Sequence, residues 1–204
     1  MFDVGANVGN RVGILRSIGA RVVAIDPQPQ CVEHLAERWR SDSNVVVLAT
    51  ALGARDGTMP LHLASESTIS SMSDRWIASV RESGRFASYA WGETVDVDVT
   101  TLDELIKQHG TPVFVKIDVE GFEPEVLSGL SQALPALSFE YTAERPDDAR
   151  ACIERLCGLG DYLFAFSPEE TFELGPWRDA AALVRELRGL SGRLPWGDVY
   201  ARLR

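Results

Sequence analysis

The sequence predicts an α/β fold, a doubly wound and mostly parallel sheet covered by helices on both faces. Three observations carry this. Short apolar runs recur along the chain, among them Arg21-Val-Val-Ala-Ile25, Val45-Val-Val-Leu-Ala49 and Pro112-Val-Phe-Val-Lys-Ile117. Between these runs the apolar residues change to helical spacing. Strands without polar alternation need cover on both faces, and separating each by a helix gives a parallel sheet. Finally, Gly5 and Gly9 follow the first apolar run at once, at the point where a strand of such a sheet turns into its helix.

The elements follow in order. Phe2 to Val4 ends a buried strand, and Val12, Leu15 and Ile18 repeat at helical spacing until Gly19 stops them. After the strand Arg21 to Ile25, one face of a second helix carries Val32, Leu35, Ala36 and Trp39, and Val45 to Ala49 is the third strand. Thr101-Leu-Asp-Glu104 reads as a capping box opening a helix that ends near Gly110. Pro112 to Ile117 is strand, Glu123 to Leu130 helix, and Leu137 to Tyr141 strand. Ala149, Cys152, Ile153 and Leu156 mark a helical face closed by Gly158, and Tyr162 to Phe166 and Val199 to Leu203 complete the strands.

Residues 65–94, SESTISSMSDRWIASVRESGRFASYAWGET, break the alternation. They are rich in serine, weakly periodic, and carry Trp76, Phe86, Tyr89 and Trp91 in polar company. A loop of that length inside a domain is functional or disordered, and the aromatics favour docking. The segment is expected to be a lid or substrate insertion in a single domain spanning 1–204. Arg178, Arg185, Arg188, Arg193, Arg202 and Arg204 read as a solvated face, with Leu183, Val184, Leu187 and Leu190 as the buried side of that helix.

Composition excludes several classes. The 204 residues, 45% apolar, suffice for one domain with a sizeable core. A net charge of -10 disfavours tracking of a phosphate backbone, so no nucleic-acid partner is expected. Cys31, Cys152 and Cys157 are odd in number and lack paired spacing, which suggests neither a disulfide framework nor a zinc site. The start lacks a basic region before an apolar stretch, and no run approaches the ~18 apolar residues of a membrane span. A cytoplasmic protein with no membrane partner is expected.

The opening stretch FDVGANVGN places backbone amides beside a ligand, because glycine permits close approach. Asp26 ends the second strand at the spacing where an acid takes both hydroxyls of a ribose. A dinucleotide fingerprint needs glycine where Asn7 stands, and Asp3 would repel a pyrophosphate but favour an ammonium group. Ribose at one end and a cationic amino acid at the other describe S-adenosylmethionine. Asp3 and Asn7 serving only to brace the turn is the plainer alternative. A nicotinamide-dependent, NAD(P)-type oxidoreductase accounts for Gly5, Gly9 and Asp26 but not for Asp3, Asn7 or KIDVEG. A non-catalytic module that binds S-adenosylmethionine is a third reading.

The chain resembles the FkbM-type methyltransferases. The likeness rests on FDVGANVGN (2–10), VVAIDPQP (22–29), ALGARDG (51–57), STIS (67–70), TTLDEL (100–105) and VKIDVEGFEPEVLSG (115–129), in that order. It implies a Rossmann-like seven-stranded sheet of the class I methyltransferase type, with S-adenosylmethionine held by Asp3, Gly5, Asn7, Gly9, Asp26, Pro27, Ala51, Leu52 and Ser70. It also implies O-methylation of a small hydroxylated acceptor, namely a sugar, glycan or polyketide-type metabolite.

Methyl transfer from a sulfonium requires alignment and removal of water, and an aliphatic hydroxyl must also lose its proton. Lys116, Asp118 and Glu120 alternate and share a face while the strand stays extended. Asp118 is expected to be the general base with Glu120 assisting, and Lys116 either joins them or pairs structurally with a carboxylate. Glu140, ending the next strand, joins Asp118 and Glu120 in an oxygen-only set that suits Mg²⁺ or Ca²⁺, although no metal is the favoured reading. His34 and His109 are expected on the surface, and His62 in a hairpin.

Overall fold

Alternate residues of the second strand go to different cores, and this one fact sets the architecture. The computed structural model describes residues 1–169, 171, 173–190 and 195–204. In β2 (Val22–Ile25), which pairs in parallel with β1 (Phe2–Val4) and β3 (Val45–Leu48), Val23 and Ile25 join the larger apolar cluster. Val22 and Ala24 join a smaller one with Val12 and Leu35. Both faces are therefore covered, as period-two side chains on a buried strand require. Helices α1 (Asn10–Ser17) and α2 (Pro29–Trp39) supply the smaller cluster. Helices α4 (Leu102–His109), α5 (Glu123–Ser128), α6 (Pro146–Leu159) and α7 (Ala180–Gly189) supply the larger.

The main sheet has seven strands in the order β3-β2-β1-β7-β8-β10-β9, where β7 is Val115–Ile117, β8 is Ala136–Thr142, β9 is Tyr162–Pro168 and β10 is Trp196–Leu203. The first five run parallel, and β10 lies antiparallel between β8 and β9. Reversal of β10 puts its first residue, Trp196, opposite Thr142, the last of β8. The expected mostly parallel sheet is present, with this one strand reversed.

A second sheet lies outside the expected alternation. In it β4 (Ala51–Leu52) and β5 (Gly57–Ala64) flank β6 (Trp91–Thr100), β5 antiparallel and β4 parallel to it. Between β5 and β6 the serine-rich segment folds into a 3₁₀ turn (Ser67–Ile69) and helix α3 (Asp74–Ser83). Ser73 caps α3 by accepting from the Trp76 amide. Trp76, Ile77 and Val80 are buried, with the Trp76 ring centroid 5.9 Å from that of Phe86 and 6.3 Å from that of Trp91. The aromatics thus form a core of their own.

Local signals hold with small shifts. Thr101 accepts from the Glu104 amide at 3.1 Å, but the Glu104 carboxylate turns to Lys107 and Gln108, so half of the box forms. The second helix buries Cys31 and Leu35, while Ala36 is exposed. Helix α6 continues past Gly158 to Leu159, and the cap is Gly160, whose amide donates to the Leu156 carbonyl. In the basic tail Arg178 pairs with Glu186, Arg204 with Asp161, and Arg202 lies over the Trp177 ring; Arg193 is outside the described residues. All three cysteines are free, and no helix among the described residues is long and apolar enough to cross a membrane.

Candidate active site

The turn after β1 is built from three left-handed residues, Gly5 (φ 79°), Asn7 (φ 47°) and Gly9 (φ 79°). A Cβ on Gly5 would sit 1.8 Å from the carbonyl oxygen of Asp118, so only glycine lets the ends of β1 and β7 approach this closely. At Gly9 a Cβ would meet Leu35 at 2.7 Å, which places that glycine behind the turn, at the packing of α1 on α2. Asn7 tolerates its backbone because its Oδ1 accepts from the Val8 amide at 2.8 Å. Its own amide donates to Asp26 Oδ2 at 2.8 Å, and its Nδ2 donates to Ser67 Oγ at 3.1 Å.

Asp26 leaves the end of β2 with both carboxylate oxygens engaged, since Oδ1 accepts from the Gln28 amide at 2.8 Å. Burial raises its pKa, while the Gln28 and Asn7 amides oppose that rise. The carboxylate is oriented before any ligand arrives, and each oxygen retains a lone pair.

A cavity of about 410 Å³ opens at the carboxyl ends of the parallel strands, where ligands bind in open α/β sheets. Of the residues expected to hold a cofactor, Gly5, Asn7, Asp26, Pro27, Ala51, Leu52 and Ser70 line it. Asp3 and Gly9 do not. Asp3 is fully buried beside Lys116, its register partner, and neither carboxylate oxygen has a hydrogen-bond partner among the described residues. Burial pushes its pKa up to about 6. Other residues to which the sequence assigned no role are also part of the wall, among them Ser67, Met72, Arg85, Phe122, Thr142 and Trp196. Trp76 and Phe86, noted there only as aromatics in a loop, also line it.

Asp118, Glu120 and Glu140 also line this cavity, with a carboxylate oxygen from each within 4.8 Å of the others. The expected reason for that meeting needs correcting. Strand β7 stops at Ile117, so Glu120 does not share an extended face with Lys116; a left-handed turn at Glu120 (φ 55°) and Gly121 (φ 84°) carries it instead. Burial, then the neighbouring charge of Asp118, raises the Glu120 pKa well above normal; for Glu140 the causes are burial, then Glu120 and Asp118. Lys116 does not line the cavity but, itself buried, forms an ion pair with the half-buried Asp118. Burial opposes its charge, yet Asp118 and Asp3 together raise its pKa.

The serine-rich segment is fastened around this cavity. Ser71 Oγ donates to the Glu120 carbonyl at 2.7 Å, and Gln28 Nε2 donates to the Ser67 carbonyl at 3.1 Å. Arg85 forms a two-pronged ion pair with Glu144, its Nε 2.5 Å from Oε1 and its Nη2 2.9 Å from Oε2. Glu123, which the sequence reading passed over, accepts through Oε1 from the amides of Val119 (3.0 Å) and Gly121 (3.4 Å). His62 lies in β5 opposite Thr94, and His34 and His109 are exposed.

A doubly wound sheet with a glycine turn after β1, a locked acid after β2 and a cavity at the strand ends defines an α/β domain of the cofactor-binding type. The chain belongs to the FkbM methyltransferase family: residues 3–176 match the Methyltransferase FkbM domain. It is 29% identical over 145 residues to the hexuronic acid methyltransferase AglP of Haloferax volcanii, covering 68% of this chain and 53% of that one. It is 27% identical over 156 residues to the methyltransferase sdnD of Sordaria araneosa, covering 65% and 60%. The chain thus spans between about half and three fifths of the length of these curated relatives. Among solved structures, the FkbM methyltransferase of Methylobacillus flagellatus superposes with a TM-score of 0.57 at 17% identity, covering 98% of this chain and 42% of that one. The precorrin-6y C5,15-methyltransferase of Geobacter metallireducens superposes at 0.50 and 10% identity, covering 100% and 78%. Both share the fold, which is that of class I methyltransferases. Of the readings the sequence left open, the family is that of the methyltransferase one.

Proposed function

We propose that the chain binds S-adenosylmethionine and catalyses transfer of its methyl group to a hydroxyl of a small acceptor, a sugar, glycan or polyketide-type metabolite. One observation carries this reading. A single cavity is lined both by an oriented carboxylate suited to a ribose, Asp26, and by a cluster of three carboxylates. The cofactor fits the residues present, because Gly5, Asn7 and Asp26 line one cavity and each Asp26 oxygen keeps a lone pair beyond its bond to a backbone amide. Pro27, Ala51 and Leu52 give an apolar wall near Asp26 suited to a base. Asp3 acts on the cofactor's ammonium group by its field through the turn, not by contact, since it does not reach the cavity.

When bound, the cofactor supplies an electrophilic methyl group on a sulfonium. The chain does the rest. Trp76, Phe86 and Trp196 exclude water from the acceptor end, and Asp118 takes the proton of the attacking hydroxyl. Lys116 keeps Asp118 oriented. Glu120 and Glu140, with raised pKa values, are the groups that share and pass on that proton. The same three carboxylates form an oxygen set that Mg²⁺ or Ca²⁺ would accept, in which case the ion would stabilise the alkoxide.

The test is methyl transfer from deuteromethyl-labelled S-adenosylmethionine to a panel of hexosides, hexuronides and hydroxylated polyketides, read by mass spectrometry. A labelled ether on any acceptor supports the reading. Cofactor binding with no transfer to any of them would leave a binding module instead, and labelling at carboxylate or nitrogen alone would remove the O-methylation of a hydroxyl.

A further inference from the structure

The turn that carries Glu120 has a backbone its own residue resists. Glu120 has a Cβ and sits at φ 55°, in the left-handed region that such residues avoid. Its surroundings must impose that conformation. They act from three sides. Gly121 (φ 84°) lies against Trp76, where a Cβ would come within 2.3 Å of the Trp76 Cβ. The Glu120 carbonyl accepts from Ser71 Oγ. On the third side the amides of Val119 and Gly121 both converge on one oxygen, Oε1 of Glu123.

Glu123 is the first residue of α5, but Phe122 is the cap, so its side chain reaches back into the turn and serves that backbone. It is nearly fully buried and does not line the main cavity. Without it two amides beside buried groups would lose their acceptor, which folded chains avoid. We infer that Glu123 is a positioning residue: it fixes the backbone of 119–121 and thereby aims Glu120 at Asp118 and Glu140. This rests on the proposed reading of those carboxylates as the catalytic end of the cavity. Because both bonds end on one oxygen, reach matters and charge does not. A glutamine carbonyl at the same distance does the same work; an aspartate, one methylene shorter, does not.

Two variants separate these properties, Glu123→Gln and Glu123→Asp, read by amide hydrogen exchange in NMR and by titration with S-adenosylhomocysteine. In Glu123→Asp, exchange at Val119 and Gly121 should rise about tenfold or more while amides of the central strands stay within about threefold of the parent. In Glu123→Gln both amides should exchange as in the parent. Affinity for S-adenosylhomocysteine should stay within about threefold in both variants, since Asp26 and the Gly5 turn are untouched. With any acceptor the parent methylates, kcat should fall about 10²-fold in Glu123→Asp, with KM for the cofactor unchanged and the rate restored in Glu123→Gln. The inference is overturned if Glu123→Gln loosens the two amides, whatever the aspartate variant does. It is equally overturned if Glu123→Asp leaves them protected. A parent that methylates nothing would refute the proposed reaction, while the exchange data would still decide whether Glu123 holds the turn.

Discussion

Asp26 accepts two backbone N–H groups before a ligand arrives, and that preparation sets how much it contributes to binding. On the proposed reading, replacing it with alanine removes two charge-assisted bonds to a ribose and also releases the Asn7 and Gln28 amides. Titration with S-adenosylhomocysteine should show a loss of about 2–4 kcal/mol. Asp118→Asn is different. The amide is nearly isosteric and the cofactor is held elsewhere, so binding should stay within a few-fold while turnover falls by about 10²–10⁴. If the three acids instead hold an ion, chelator should abolish activity, Mg²⁺ or Ca²⁺ should restore it, and Glu140→Gln should be as damaging as Asp118→Asn. An activity indifferent to chelator leaves the proton-transfer role alone. That Asp118 and Asp26 would lie at the cavity was legible because each closely follows an apolar strand, at whose carboxyl end such cavities open. The burial of Asp3 was not, because which side of a strand faces a cavity depends on the turn that follows it. Glu123 was not legible either, since nothing in FEPEV distinguishes a glutamate that turns inward from one on a solvated helix start.

At the scale of elements, the segment from 65 to 94 behaves as a wall fastened to the sheet. Arg85 and Glu144 are the fastening most exposed to test, with side chains 13% and 3% exposed. Burial by itself would raise the Glu144 pKa, but the Arg85 guanidinium holds it below normal. Arg85→Ala leaves a buried charge unpaired and should cost about 3–5 kcal/mol in denaturant unfolding, with faster protease cleavage between 65 and 94. Arg85→Met with Glu144→Leu should recover most of that stability, because a pair removed whole leaves no orphan. Cleavage and stability unchanged in Arg85→Ala would mean the segment is held elsewhere. The sequence did carry one missed signal here. Val95-Asp-Val-Asp-Val99 alternates with period two, the pattern of a half-buried strand, and Val97 and Val99 are buried in β6 while Asp96 and Asp98 are exposed. Its partner β5 has no such pattern, four of its eight residues being exposed, so the hairpin around the segment could not be read from both sides.

For the molecule as a whole, burying acids at the strand ends sets the pH dependence of stability. The Glu123 pKa rises from 4.5 to about 8 through burial, and that of Asp3 from 3.8 to about 6. In each case the folded state keeps a proton that the unfolded chain has released, so stability is greatest below the unfolded pKa and falls as pH rises toward the folded one. Glu120 and Glu140 act in the same direction. Melting temperature should therefore fall between about pH 4.5 and 8, and Glu123→Gln should flatten that slope by removing its share of the stability lost across the window, up to roughly 4–5 kcal/mol. A melting temperature that rises over this range would contradict the burial of these acids. The layered sheet was legible because continuous apolar strands have few other solutions. The reversal of β10 was not, because a strand's direction leaves no mark on its own residues. The most direct measurement is calorimetric titration of the parent protein with S-adenosylmethionine, S-adenosylhomocysteine and NAD⁺ in parallel. One-to-one binding of the first two with no heat from NAD⁺ is the predicted result. NAD⁺ binding tighter than either, or no binding of the sulfonium and thioether ligands, would contradict it.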